Sequence, residues 1–259
     1  SDAAFGDYPG YWPLPSAHTP ADLWLRAVAA GGQGRYGAAR ADLAELVRSS
    51  PPARWSALAL STQASFLRQQ GWHHRAAGLD GKANAMAGGD AEAAVDALAG
   101  LAADALGVGR LAAAAVLLDR AAERHDRAEA PPQRQAIRLA WVGAELAMAA
   151  GEGSSARSHA MRAVELAGVA APALGRHRVK SDVVLAAAPC CAGDIPGSRR
   201  VADAALDATE IRGLVPLRWA LGCLLTGIGS AQRSPAEIAE IRDRSTTFVT
   251  RHGGRWNAR

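Results

Sequence analysis

Gly109-Arg110-Leu111-Ala112-Ala113-Ala114 decides the fold, because it is not alone. The same cadence of a glycine, a polar or bulky pair and then alanines opens Gly34-Arg35-Tyr36-Gly37-Ala38-Ala39 and Gly71-Trp72-His73-His74-Arg75-Ala76. It returns at Gly151-Glu152-Gly153-Ser154-Ser155-Ala156 and, more weakly, at Gly193-Asp194-Ile195-Pro196-Gly197-Ser198. The leading glycines are 37, 38, 42 and 42 residues apart. A fixed period of this size marks a chain built from repeated supersecondary units.

Working outward from each glycine gives the unit. Before it, small and apolar residues recur at helical spacing, as in Leu60, Ala64 and Leu67 or Leu98, Leu101, Ala102 and Ala105. After it a second amphipathic run begins, as in Ala39, Leu43, Leu46 and Val47 or Ala114, Leu117, Leu118 and Ala121. The pattern predicts a helix, a turn whose glycine takes the left-handed backbone of a helix cap, and an antiparallel helix. A sixth unit starts at Trp219, Leu221, Gly222 and Leu225, and its second helix follows a longer turn at Ser234-Pro235-Ala236-Glu237, a strong start signal. Composition agrees. About a quarter of the 259 residues are alanine, the best helix former, while phenylalanine and tyrosine total six.

These units resemble tetratricopeptide repeats. The family's small, glycine, bulky, small and small positions fall on Ala27, Gly34, Tyr36, Ala39 and Leu46, with Pro51 following, in the first unit. They fall on Ala64, Gly71, His73, Ala76 and Ala83 in the second, and on Ala102, Gly109, Leu111, Ala114 and Ala121 in the third. The fourth keeps Ala144, Gly151, Ala156 and Ala163; the fifth keeps Ala186, Gly193 and Ala205 but has Ser198 in place of an alanine. The resemblance spans roughly residues 20 to 252, with spacings longer than the family's usual thirty-four. It implies an all-α, right-handed superhelix of about six antiparallel helix pairs, an α-solenoid. A helical array of another pair type is the alternative. The domain organisation expected is an extended arm at 1–19 and a single repeat domain at 20–259. The arm, with Phe5, Tyr8, Tyr11 and Trp12 among prolines and glycines, either caps the first repeat or lies in the groove of the superhelix or on a neighbour.

Bulk features remove several classes. The longest apolar run, Val183 to Cys191, is far shorter than a membrane span. The net charge of +4 is mild, and the densest basic stretch, Arg176-His177-Arg178-Val179-Lys180, is short, which argues against nucleic acid as partner. Cys190, Cys191 and Cys223 make no disulfide framework, so free thiols in a reducing, cytoplasmic setting are expected. The chain opens on Ser1-Asp2 rather than methionine, so targeting is not legible and a secreted or tethered form stays open.

No reaction chemistry emerges. Gly32-Gln33-Gly34-Arg35-Tyr36-Gly37 matches a dinucleotide-binding string, but a helix precedes it where a strand is required, so it reads as an inter-helix turn. His73-His74 point in different directions on a helix, and no HExxH or CxxC spacing exists, so no metal and no cofactor are expected. Catalytic residues are therefore expected to be none, a hydrolase on a helical scaffold being the outside alternative. What remains is the concave surface, which the family resemblance places on the first helix of each pair. Carried over, its groove positions are Trp24, Ser61, Ser65, Arg68, Gln69, Arg138, Trp141, Glu145, Lys180 and Trp219. Tryptophan and arginine dominate binding hot spots. The functional expectation is a non-enzymatic module, a scaffold, adaptor or chaperone-like protein, binding an acidic or carboxyl-terminated peptide or protein. The alternative is a ligand-sensing or regulatory repeat domain of a bacterial signalling or transcription system.

Overall fold

The structure, a computed structural model, describes residues 2–170 and 174–257. Among these are twelve helices and no strand: α1 (Pro20–Gly32), α2 (Tyr36–Arg48), α3 (Ala53–Gln69), α4 (His73–Ala87), α5 (Ala91–Gly107), α6 (Leu111–Asp126), α7 (Gln133–Ala149), α8 (Gly153–Val169), α9 (Gly175–Cys191), α10 (Ile195–Ile211), α11 (Val215–Ile228) and α12 (Pro235–Arg251). They form six hairpins stacked in chain order, an all-α helical-repeat solenoid. Each odd helix touches the next odd helix, from α1·α3 through α9·α11, so the odd helices form one layer and the even helices the other.

The five turn glycines behave as their spacing requires. Gly34, Gly71, Gly109, Gly151 and Gly193 all have φ between 76° and 85°. At Gly34 the residue after the glycine donates its amide back to the helix, Arg35 N to Ala30 O at 2.9 Å, while Gly34 N bonds Gly31 O. The same pair of bonds recurs at Gly71, Gly109, Gly151 and Gly193. Each is a Schellman cap that satisfies carbonyls the helix end would otherwise leave open. It also turns the chain sharply enough for the next helix to fold back on the last.

The alanine seam holds each hairpin closed. Ala27, Ala39, Ala64, Ala76, Ala83, Ala102, Ala114, Ala121, Ala144, Ala156, Ala163 and Ala186 are fully buried. Where the fifth unit breaks the pattern, Ser198 is also fully buried and donates its hydroxyl to Ala186 O at 2.5 Å, so the substitution is compensated by a hydrogen bond across the seam. Pro189 does not end α9, which runs two residues further to Cys191. The Ala128–Pro132 stretch is an ordinary connection between α6 and α7.

Two features go beyond a simple array. First, the last hairpin returns to the first. The tail after α12 bonds the turns of the first two units: Gly37 N to His252 O at 2.7 Å, Arg40 Nη2 to Gly253 O at 2.7 Å, Asn257 N to Gln70 O at 2.9 Å and Trp72 Nε1 to Arg255 O at 2.7 Å. Val249 of α12 belongs to the same buried cluster as Trp24, Tyr36 and Phe66. Second, the amino-terminal arm does not merely cap the first unit. It runs back along α1, turns at residues 9–10 and 2–5 instead of staying extended, places its middle between the end of α1 and the α10–α11 connection, and brings Phe5 onto the inner layer.

No helix among the described residues is long and apolar enough to cross a membrane.

Candidate binding groove

The inner layer curls far enough that α1, α7 and α9 all face one side chain. The Phe5 ring lies 5.7 Å from the Trp24 ring of α1 and 5.9 Å from His177 of α9, centroid to centroid. The Arg134 guanidinium of α7 stands 5.6 Å from the centroids of both Phe5 and Trp24. Trp55 tilts against Trp24 at 6.0 Å, and Trp141 stacks on His177 at 5.2 Å. An aromatic ring edged by indoles and a guanidinium gains dispersion and cation–π attraction together.

Beyond Phe5 the arm is held by its backbone. Gln33, buried at the end of α1, donates Nε2 to Pro9 O at 2.8 Å and Tyr11 O at 3.0 Å. Arg212 donates Nη1 to Asp7 O at 3.2 Å. Two glycines permit the approach. A Cβ on Gly175, at the start of α9, would stand 2.7 Å from Gly6 O, and one on Gly10 would stand 2.8 Å from Arg212 O. These contacts hold the arm by its backbone, whatever its side chains, around a turn closed by Tyr11 N to Tyr8 O at 3.0 Å.

Under the Phe5 socket lies a charged layer. Asp96 of α5 accepts from Arg134 Nη1 at 3.1 Å and Nη2 at 2.6 Å, from Arg138 Nη1 at 2.6 Å and from Gln135 Nε2 at 3.2 Å. Arg134 Nη2 also reaches Glu92 at 2.5 Å. Burial alone would raise the Asp96 carboxyl, but Arg134, Arg138 and these hydrogen bonds outweigh it and hold it below the usual carboxylate range. One unit earlier, Arg68 of α3 grips Asp104 through Nε at 2.9 Å and Nη2 at 3.0 Å and also pairs with Asp80 of α4. There burial wins, and the Asp80 carboxyl is pushed up to about 7 against the pull of Arg68.

The residues expected in the groove are placed as follows. Trp24 lies under Phe5 and donates Nε1 to Thr62 at 2.9 Å. Trp141 is half-buried and donates Nε1 to Ser181 at 2.9 Å. Arg138 keeps about a quarter of its side chain exposed above Asp96. Glu145 and Lys180 pair with each other at 3.0 Å, both about a third exposed. Trp24, Arg138 and Trp141 thus meet around the socket, with Glu145 and Lys180 alongside. The rest serve internal contacts. Arg68 is committed to Asp80 and Asp104, Ser61 is buried, and Ser65 donates to Thr62 O at 2.7 Å. Gln69 accepts from the Tyr36 hydroxyl at 3.0 Å, and Trp219 is covered by Trp256 of the tail, 4.1 Å centroid to centroid.

Sequence reasoning missed Phe5, Gln33, Asp96, Arg134, Arg176, His177 and Arg212. One signal was available: Asp96 and Asp104 stand two turns apart on α5, whose remaining residues are almost all apolar. An acid on such a face needs a buried partner. Arg176 and His177 were visible only as a short basic stretch. In the structure Arg176 crosses to the end of α1, with Cδ and Nε 3.1 Å from where a Gly32 Cβ would stand.

His177 is buried at 5% exposure, and its Nδ1 has no hydrogen-bond partner among the described residues. Burial, then Arg176, Arg134 and Arg138, keep the imidazole from protonating, well below its ordinary value of 6.5. A base held neutral this way contributes stability that is complete above the unfolded value and is lost as pH falls below it. The expected result is an imidazole carbon resonance for His177 that does not move between pH 5 and 8. A midpoint at the ordinary histidine value would show that the socket is open to water.

The other candidate surface is a hollow of about 380 Å³ beside the tail, lined by Trp72, His73, His74, Arg75 and Asn257. His73 Nδ1 there stands 3.3 Å from Asp104 Oδ1, packed on Gly107, and no serine, threonine or cysteine lines the hollow. The nucleotide-like string at Gly32–Gly37 is an inter-helix turn, with Gly37 packed on the tail.

Compared with known proteins, the chain matches no family model and no curated protein sequence.

Proposed function

We propose that this is a divergent tetratricopeptide-like array that binds a peptide segment of another protein on its inner layer, without catalysing a reaction. The Schellman turns and the alanine seam support the family reading. The observation that carries the function is the arm itself: a segment with turns at residues 2–5 and 9–10 lies across the inner layer, with its carbonyls at Asp7, Pro9 and Tyr11 bonded by Arg212 and Gln33 and one aromatic ring in a socket. Free cysteines at 190, 191 and 223 fit a reducing, cytoplasmic setting.

Beside the socket Arg138 and Lys180, though paired with Asp96 and Glu145, keep part of their side chains exposed, and Arg176 stands next to His177, which suits a segment with acidic groups near an aromatic anchor. The test is panning of a random peptide library on the full chain. The expected result is enrichment of segments with an aromatic residue and an acidic neighbour. Lys180→Glu, which reverses a partly exposed charge at little cost to folding, should weaken their binding at least about tenfold. No enrichment, or enriched segments indifferent to Lys180→Glu, would overturn the reading.

A further inference from the structure

Resting on the peptide-binding reading, we infer that the arm is a built-in occupant of the groove and that its own chemistry defines the partner. That partner is a turn-forming segment of another protein with a small–small–aromatic–small core flanked by acids, and it enters by displacing the arm. The occupant is Asp2-Ala3-Ala4-Phe5-Gly6-Asp7. Ala4 and Gly6 are buried on either side of Phe5. The small residues are required: a Cβ on Gly6 would stand 2.7 Å from Asp2 Cα across the arm's own turn, and Ala4 sits in the cluster of Trp24 and Ala27. The ring is required by its neighbours Trp24, His177 and Arg134. Asp2 and Asp7 flank this core and are exposed.

The arm joins the core at Ala4 and Phe5 and is held elsewhere through its carbonyls by Gln33 and Arg212. Its outer half is exposed: Tyr8, Tyr11 and Trp12 are 70%, 56% and 41% accessible, the last under the Arg35 guanidinium at 4.2 Å. The helices do not run through it. The segment can leave without opening a hairpin, and while seated it competes with any partner at an effective concentration on the order of millimolar.

The experiment uses the full chain and a fluorescein-labelled synthetic peptide of residues 2–12, with binding followed by anisotropy. Two substitutions unseat the arm by independent routes. Phe5→Ala empties the socket, and Gly10→Ala places a Cβ against Arg212 O. Both altered chains are expected to bind the peptide at least about tenfold more tightly than the unaltered chain. The same peptide carrying Phe5→Ala is expected to bind none of them. Circular dichroism melting confirms that each chain is folded, and Gly10→Ala decides the matter if Phe5→Ala does not fold. Equal binding to altered and unaltered chains, or no binding to either altered chain, overturns the inference. Library segments that bind the groove with no gain on Phe5→Ala or Gly10→Ala leave the peptide-binding reading standing and remove the arm from it.

Discussion

Asp96→Ala is expected to lower the unfolding free energy by about 3–5 kcal/mol, read as a fall in the urea midpoint without a change in slope. Arg134 is 7% exposed and Asp96 4%, and the carboxylate accepts from Arg134, Arg138 and Gln135 at once. Removing it leaves Arg134 with Glu92 alone and strands hydrogen bonds in a water-poor layer. The cost is mostly that of an uncompensated buried charge rather than the net worth of the pair. Two further variants separate these terms. Asp96→Asn keeps the shape and an acceptor and should cost less. Adding Arg134→Met to Asp96→Ala should recover part of the loss, because the stranded charge goes with it. A loss below about 1 kcal/mol for Asp96→Ala would mean that Glu92 takes over both guanidinium groups, and the layer would not be the clamp between α5 and α7 described above.

Asp80 produces the second large effect, and its sign is opposite to that of an ordinary salt-bridged aspartate. Its carboxyl is raised from 3.8 to about 7, because full burial outweighs Arg68. An acid raised in the folded state stabilises the fold while both states hold the proton. That contribution is complete below 3.8, declines as pH rises, and is gone once pH passes about 7. A gap of about three pH units corresponds to at most about 4 kcal/mol. Asp80→Asn fixes the neutral form and leaves Arg68 its two-point grip on Asp104. The variant should therefore gain on the unaltered chain steadily through the window from 3.8 to about 7 and run parallel to it above. His177 works the other way in part of the same window, losing stability as pH falls. The difference between the two chains, rather than either curve alone, isolates Asp80. Parallel curves throughout would show that Asp80 is ionised when folded.

The fold was legible because its signals are local. Each turn glycine needs a positive φ for reasons contained within six residues, and each seam alanine is small for a reason contained within one hairpin. The Ser198 exception looked like decay of the repeat and is a hydrogen bond to Ala186, twelve residues away and still within its hairpin. The site was legible only in part. Trp24, Arg138 and Trp141 follow from repeat register, but what they do depends on partners a repeat or more away. Arg138 meets Asp96 at a separation of 42 residues, and Arg68 meets Asp104 at 36. Register places a side chain on a layer without saying whether it faces an incoming segment or a buried acid, so Arg68 and Arg138 looked equivalent. Trp219 shows a different limit: its cover, Trp256, lies in a tail with no repeat pattern to place it.

That tail has a consequence for how such a chain can evolve. Open arrays lengthen by duplicating a unit, since each unit answers only to its neighbours. Here the backbone at 252–257 must arrive at Gly37, Gln70 and Gly71 of the first two units. One hairpin more or fewer would carry it past these partners or leave it short. The copy number of the repeats is therefore fixed by fit, as the number of staves is fixed in a hoop, and variation is left to side chains and loop lengths. The spacings that widen from 37 to 42 residues without adding a unit are variation of that permitted kind.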